Sequence, residues 1–238
     1  ALYLAARILV RHADERDDDG VGALQKLADA LPPSIAGQVR ATARQLRARP
    51  ENNAQAAILR TLTEGWASSQ AVAIRYRSQA AREFRATELE PYILEPGTTG
   101  QAVYVIGFSS EHGQVRTFKV DRIQDATLTG RAFVPNGVAE VAEKIGRSWD
   151  VVFGDDEYEV VVEFTPEVAE RVAETTWHES QRATMLDGGS LRLELRLPSF
   201  MEFVPWVRGW GEQALVISPP ELVAELAASL RAAAARYG

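Results

Sequence analysis

The spacing of hydrophobic positions changes along the chain, and each change predicts a different kind of structure. Up to residue 68, apolar residues recur every three to four positions, which predicts amphipathic helices. Over residues 69–134, short apolar runs rich in β-branched and aromatic residues alternate with turn residues, which predicts strands. From residue 158 onwards, strand-like and helix-like stretches follow one another. The pattern as a whole predicts an α+β fold.

Four segments follow from this pattern. We predict a helical lead-in or dimerisation segment at 1–68, a small, strongly bent antiparallel sheet or barrel at 69–134, a linker at 135–157 and a second module at 158–238. The second module has the predicted order β-α-β-β-α-β followed by a long helix. That order is typical of the ferredoxin-like split βαβ pattern.

A β-hairpin at residues 102–123 is the most informative stretch. Its two apolar arms flank a short polar turn that contains Gly113. The second arm carries three cations, Arg116, Lys119 and Arg122, among residues that otherwise resemble a core strand. A cation in such a strand must reach solvent, pair with an acid or bind an anionic ligand. We interpret this strand as part of an anion site.

Strand alternation places Arg116, Phe118 and Arg122 on one face of the hairpin. An aromatic ring between two guanidinium groups suits a phosphate flanked by a stacked base. The alternative is that Arg122 pairs with a nearby acid such as Asp121 or Asp125, since charged residues on strands usually form a solvated face.

Further polar and aromatic residues could complete this site. The phenol of Tyr104 can donate a hydrogen bond to a phosphate or stack on a base, although a core position is the alternative. Tyr76 and Ser78 lie at matching parity on a neighbouring predicted strand. The predicted ligand-binding or nucleic-acid-binding residues are therefore Tyr76, Ser78, Tyr104, Arg116, Phe118 and Arg122.

Composition narrows the possible functions. The chain has 238 residues and no cysteine, which excludes disulfides, thiolate catalysis and metal sites built from cysteine. Its formal charge of −7 argues against a surface coated in positive charge for general nucleic-acid binding. The acidity is concentrated in residues 151–238, which carry 7 basic and 15 acidic side chains. No apolar run approaches the roughly 20 residues that span a bilayer, and we expect a cytoplasmic protein. The chain opens without methionine in a helical pattern, so we expect it to be a piece of a longer protein.

Enzyme chemistry is not indicated. The sequence has no glycine-rich phosphate loop and no HExxH metal motif, and neither His112 nor His178 has an evident set of catalytic partners. We therefore predict a protein that is not an enzyme, with no catalytic residue, no metal site and no cofactor.

Two stretches resemble a known family, the WYL domain of bacterial transcription regulators. The match is strongest at Arg116-x-Phe118-x-Val120-Asp121-Arg122-Ile123, where all but one conservative position agrees with the family pattern, whereas only Tyr104 survives of the naming Trp-Tyr-Leu triplet. The C-terminal part resembles the extension that often follows this domain. Its matching features are Phe164-x-Pro166, Asp187-Gly-Gly-Ser190, Trp206-x-x-x-Trp210-Gly211, Val216-x-x-Pro219 and Tyr237.

The resemblance implies several properties beyond those read from the residues. It implies a Sm-like or SH3-like barrel that senses a ligand, with single-stranded DNA or a nucleotide-like anion as effector. It also implies a winged helix-turn-helix domain before Ala1, which would bind duplex DNA, and a homodimer. The alternative function is a structural module that dimerises or contacts a protein such as RNA polymerase without a small effector.

Overall fold

The computed structural model describes residues 2–13, 15–98, 102–154 and 156–238. The chain divides into two units at residues 138 and 139. Each unit contains its own sheet and its own buried core. None of the described helices is long and apolar enough to cross a membrane.

Four helices begin the first unit, as the helical spacing of apolar residues predicts. They are α1 (Leu2–His12), α2 (Asp18–Asp29), α3 (Pro33–Arg47) and α4 (Asn53–Ser68). Helices α1 to α3 bury a core of their own, which includes Val10, Leu24 and Leu46. Helix α4 packs instead on the first sheet, where it contributes Ile58 and Leu62.

The first sheet has five antiparallel strands in the order β4-β3-β2-β1-β5. The strands are β1 (Gln70–Tyr76), β2 (Arg85–Pro96), β3 (Val103–Ser109), β4 (Gln114–Lys119) and β5 (Ile123–Ala132). The hairpin predicted at 102–123 is the pair β3–β4, joined by a turn that contains Gly113.

The expected barrel is not closed. In the described part of the chain, the edge strands β4 and β5 form no ladder with each other. Residues Val120–Arg122 form a single 3-10 turn instead of extending β4. This turn carries the chain to the opposite edge of the sheet, where β5 pairs with β1. The first unit is therefore an open, antiparallel sheet with α4 packed against it.

Two glycines allow the close approaches within this unit. A Cβ atom at Gly65 of α4 would lie 2.4 Å from Val72 Cγ2, and a Cβ atom at Gly107 of β3 would lie 2.0 Å from the carbonyl oxygen of Glu90. Neither distance can be tolerated by a larger side chain without movement of the backbone or its neighbours. Glycine is therefore required where α4 packs on β1 and where β3 pairs with β2.

The second sheet has four antiparallel strands in the order β7-β8-β6-β9. Following α5 (Val138–Gly146), the elements are β6 (Tyr158–Phe164), α6 (Pro166–Ala173), β7 (Arg182–Met185), β8 (Leu191–Leu197), α7 (Phe203–Arg208), β9 (Ala214–Ser218) and α8 (Pro220–Ala234). This is the strand order of the split βαβ pattern, so the predicted α+β class with a ferredoxin-like module and terminal helix is confirmed.

Four of the five tryptophans pack together in the second unit, namely Trp149, Trp177, Trp206 and Trp210. The ring centroids of Trp206 and Trp210 are 5.7 Å apart, and those of Trp177 and Trp206 are 4.9 Å apart. The four rings are half-buried and cover the core that the sheet and its helices form. Two tryptophans four residues apart therefore serve packing here, in agreement with their shared helical face.

Glu202 anchors the segment before β6 to the second unit. One carboxylate oxygen, Oε2, accepts hydrogen bonds from the backbone N–H groups of Val151 and Val152, at 3.1 and 2.9 Å. Burial raises the pKa of this carboxyl above its ordinary value, and the charge of Asp150 acts in the same direction. The backbone hydrogen bonds oppose this shift without cancelling it.

The Glu202→Gln variant should be at least as stable as the wild type at neutral pH. Because the folded-state pKa of Glu202 is raised, the unfolded chain loses this proton at lower pH than the folded protein does. The stabilising contribution of the proton is therefore lost as the pH rises above about 4.5 through the folded-state pKa. The advantage of the amide should grow with pH over this window, as measured by urea unfolding followed by tryptophan fluorescence.

Two further variants show whether this result is due to the buried carboxyl of Glu202. Glu202→Ala removes the carboxylate that accepts from two backbone N–H groups and should lower the free energy of unfolding by about 1–3 kcal/mol. Glu225→Gln, at an exposed position of α8, should show no comparable dependence on pH. A Glu202→Gln variant that loses stability relative to the wild type as the pH rises would contradict the assigned role.

Candidate ligand-binding site

A recess of about 460 Å³ opens on the first unit, and its wall combines five segments. These segments are the end of β1, the loop that leads into β2, the start of β2, the turn between β3 and β4, and β4 itself. Four of the six predicted site residues line it, namely Tyr76, Ser78, Arg116 and Phe118. Tyr104 and Arg122 do not lie on its wall.

Two aromatic rings connect the recess to the core. Phe118 is 3% exposed and belongs to the core that α4 and the sheet share, and Tyr76 packs against that core. Their rings meet edge to face with centroids 4.9 Å apart. This geometry is favourable for an aromatic pair and fixes both rings. The recess therefore has an apolar base that includes Phe118 and Tyr76.

Arg116 is the cation that remains available on this wall. It is exposed on β4, opposite Gly107 of β3. Its guanidinium forms no ion pair or hydrogen bond with any residue that the structure describes. By contrast, Lys119 on the same strand lies 2.9 Å from Asp121, and Arg75 on β1 lies 3.7 Å from Asp125. Arg116 can therefore bind an anion without first breaking an internal contact.

Arg122 occupies a different position from the one that strand alternation predicts. The strand ends at Lys119, so the 3-10 turn rotates Arg122 out of register with Arg116. Its Nη2 atom donates a hydrogen bond to Gln79 Oε1 at 3.1 Å. Within the described residues it pairs with no carboxylate, and the predicted alternative of an ion pair with Asp121 or Asp125 is not formed. Arg122 instead supports the loop between β1 and β2.

Tyr104 lies in β3, between Glu95 of β2 and Lys119 of β4 in the strand register. It is half-buried and remote in register from the turn that borders the recess. The backbone of β3 therefore places this phenol at the other end of the hairpin.

The structure adds residues that sequence reasoning missed, and they belong to β2 and the β3–β4 turn. Thr87 Oγ1 lies 2.9 Å from Ser109 Oγ, which in turn lies 3.0 Å from His112 Nδ1. Arg85 Nη1 lies 3.4 Å from Glu111 Oε1. Arg85, Thr87, Glu111 and His112 all line the recess. Their proximity follows from the pairing of β2 with β3, and no local pattern in the sequence indicates it.

A second recess of similar size lies on the second unit. Its wall carries the carboxylates Glu159, Glu179 and Glu194 and the guanidinium groups of Arg182 and Arg196. The excess of acid makes it less suited to an anion than the recess of the first unit. Among the described residues, no three His, Asp or Glu side chains come together in a group that could hold a metal ion.

Comparison with solved structures gives distant similarities. The proteasome accessory factor B/C (PafBC) of Arthrobacter aurescens is 20% identical, with a TM-score of 0.40 over 91% of this chain. The chain spans only 35% of the length of that protein. A CRISPR Cas-related protein is 11% identical, with a TM-score of 0.49 over 96% of this chain and 76% of its own. No curated protein matches the sequence significantly.

Two protein-family models match the sequence directly. The WYL domain matches residues 57–128, and the WCX domain matches residues 156–234. Together they account for well over half of the chain, and they confirm the resemblance inferred from the motif around Arg116. They also support a sensing role in the regulation of transcription. The chain therefore contains a WYL domain followed by a WCX domain, and its recess lies within the WYL domain.

Proposed function

We propose that this chain is the effector-sensing and dimerisation region of a bacterial transcription regulator. In this proposal the recess of the WYL domain binds single-stranded DNA or a nucleotide-like anion. The observation that carries the proposal is the guanidinium of Arg116, which is unpaired among the described residues, beside the aromatic pair Tyr76 and Phe118. A guanidinium suits the oxygens of a phosphate, and an aromatic surface suits a base.

The size and lining of the recess agree with a small organic anion. Its volume of about 460 Å³ falls within the range of small-molecule sites. The hydroxyl group of Ser78 lies on the same wall and offers a hydrogen bond to a sugar or phosphate oxygen. A single nucleotide could occupy the recess. A longer strand would continue beyond it, and only such a strand could also reach Tyr104, at the other end of the β3–β4 hairpin.

Binding would act through the quaternary structure of the regulator. We propose that the effector favours one arrangement of a homodimer and thereby repositions a DNA-binding domain outside this chain. The affinity of the effector must then differ between the two arrangements, because a ligand shifts an equilibrium only by its differential affinity. The cytoplasm is the compartment in which such a regulator would act.

No enzymatic activity, cofactor or metal forms part of this proposal. The pair Ser109 and His112 has the distance of a nucleophile and its base, 3.0 Å. However, Ser109 is fully buried, and its hydroxyl also contacts Thr87. A nucleophile must reach its substrate, so this pair is better explained as a structural hydrogen bond.

A second candidate function is a module for protein contacts alone, for dimerisation or for contact with RNA polymerase. The observation in its favour is the outer face of α1, where Leu4 and Ile8 lie one turn apart and are 63% and 60% exposed. Apolar side chains grouped in this way are typical of an interaction surface. This candidate predicts that oligomerisation depends on α1 and that the recess binds no effector.

The Arg116→Ala variant should bind a short oligothymidylate roughly 10- to 100-fold more weakly than the wild type. The variant removes a charge-assisted hydrogen bond to phosphate and breaks no internal contact among the described residues. Isothermal titration calorimetry measures the affinity directly, and circular dichroism checks the fold. The matched control is Arg75→Ala, which removes an exposed arginine of the same sheet that already faces Asp125.

The two candidate functions give different results in this experiment. Equal losses in both arginine variants would indicate a diffuse electrostatic effect and would remove Arg116 from the proposed site. Absence of oligonucleotide binding by the wild type at micromolar protein would favour the second candidate. In that case Ile8→Glu should weaken self-association in sedimentation equilibrium.

Affinity for oligothymidylate should fall linearly with salt on logarithmic axes. Each phosphate contact to a single strand contributes a slope of about −0.7. Arg116→Ala should therefore make the slope shallower by about 0.7, whereas Arg75→Ala should leave it unchanged. A duplex of the same length is the control for general attraction. A duplex that binds as tightly as the single strand would contradict selective recognition of single-stranded DNA.

A further inference from the structure

The formal charges on the wall of the WYL recess cancel when its histidine is neutral. Arg85 and Arg116 are the cations of the described lining, and Glu83 and Glu111 are the anions. One cation and one anion of this wall already pair with each other, because Arg85 Nη1 lies 3.4 Å from Glu111 Oε1. His112 also lines the recess, and histidine is the side chain that changes charge between about pH 5 and 8. The charge state of His112 therefore decides whether this wall is neutral or carries a net positive charge.

A chain of hydrogen bonds holds the imidazole of His112 by one nitrogen. Thr87 Oγ1 accepts the backbone N–H of Glu111 at 3.3 Å, which leaves the Thr87 hydroxyl proton free to donate to Ser109 Oγ at 2.9 Å. The Ser109 hydroxyl can then donate to His112 Nδ1 at 3.0 Å. In this arrangement the proton of the neutral ring is on Nε2, which forms no hydrogen bond with any described residue.

The same chain of hydrogen bonds can also hold the charged ring. If Nδ1 gains a proton, it donates to Ser109 Oγ, and the Ser109 hydroxyl donates to Thr87 Oγ1. The Thr87 hydroxyl can then donate to the carbonyl oxygen of Glu88 at 3.4 Å. Glu111 Oε2 lies 3.9 Å from Nδ1 and attracts the positive ring. Protonation of His112 therefore requires no rearrangement of the side chains that surround it.

We propose that His112 is a specificity-determining residue that makes effector binding depend on pH. The neutral ring offers one N–H donor from a wall without net charge, whereas the charged ring gives the wall a net positive charge. An anionic effector would therefore bind more tightly as the pH falls. Glu83 and Glu111 oppose its binding in both states, and Arg85 and Arg116 favour it in both. This inference rests on the proposed function of the recess.

The test measures the affinity of oligothymidylate at about pH 6 and about pH 8 at one ionic strength. Neither the phosphodiesters nor the thymine bases of this probe titrate in that range, so a change in affinity reports the protein. Isothermal titration calorimetry avoids a dye whose own charge varies with pH. The wild type should bind roughly three- to tenfold more tightly at the lower pH, the effect of one added charge-assisted contact.

Three variants decide whether His112 is the source of that difference. His112→Gln should abolish the dependence on pH, and His112→Lys should bind tightly at both values because its charge is retained. The matched control is His12→Gln at the end of α1, which should keep the wild-type dependence. His112 lies in an exposed turn, and circular dichroism would show whether each variant keeps the fold.

The outcomes separate this inference from the proposed function. If His112→Gln retains the wild-type dependence on pH while Arg116→Ala loses affinity, the inference fails and the proposed function stands. If the wild type binds equally well at both pH values, the inference also fails and the proposed function stands. If the wild type binds no oligothymidylate at either pH, the proposed function fails, and the inference fails with it.

Discussion

The packing of α4 against the first sheet is the contact on which the WYL domain depends. Ile58 and Leu62 of α4 are buried with residues of β1 to β4, and Gly65 brings the helix close to Val72. Phe118 belongs to the same core. This packing fixes the strand that carries Arg116 and gives the recess a rigid base. The functional side chains can then be polar and exposed, because their backbone is held by contacts elsewhere.

The charges around the first sheet show how a binding site differs from an ordinary polar surface. Arg75, Arg85, Lys119 and Arg131 each lie near a carboxylate, and the sheet register explains the first of these pairs, because Arg75 lies directly opposite Asp125. Exposed pairs of this kind contribute little to stability, so their main effect is to neutralise charge locally. Arg116 is not neutralised in this way within the described residues. A balanced wall with one available guanidinium and one histidine suits an effector of limited charge better than a long polyanion.

The second unit shows the opposite electrostatic character. Residues 139–238 carry 9 basic and 18 acidic side chains, whereas residues 1–138 carry 17 and 15. Its core is closed by half-buried tryptophans, and its segment before β6 is held by the buried carboxylate of Glu202. An acidic WCX domain is a poor surface for nucleic acid on its own. The proposed binding of an anion therefore places the effector on the WYL domain.

Local patterns in the sequence determined the elements, the ferredoxin-like order of the second module and the motif around Arg116 that identifies the WYL domain. These features depend on residues close together in the chain, because helix and strand periodicity and turn chemistry are local. The tertiary structure alone decided that the first sheet stays open and that the 3-10 turn separates Arg122 from Arg116. It also decided that Thr87 of β2 reaches Ser109 and that Ser109 holds His112. Such contacts depend on the register between strands distant in the chain, and hydrophobic spacing carries no information about which polar groups that register brings together.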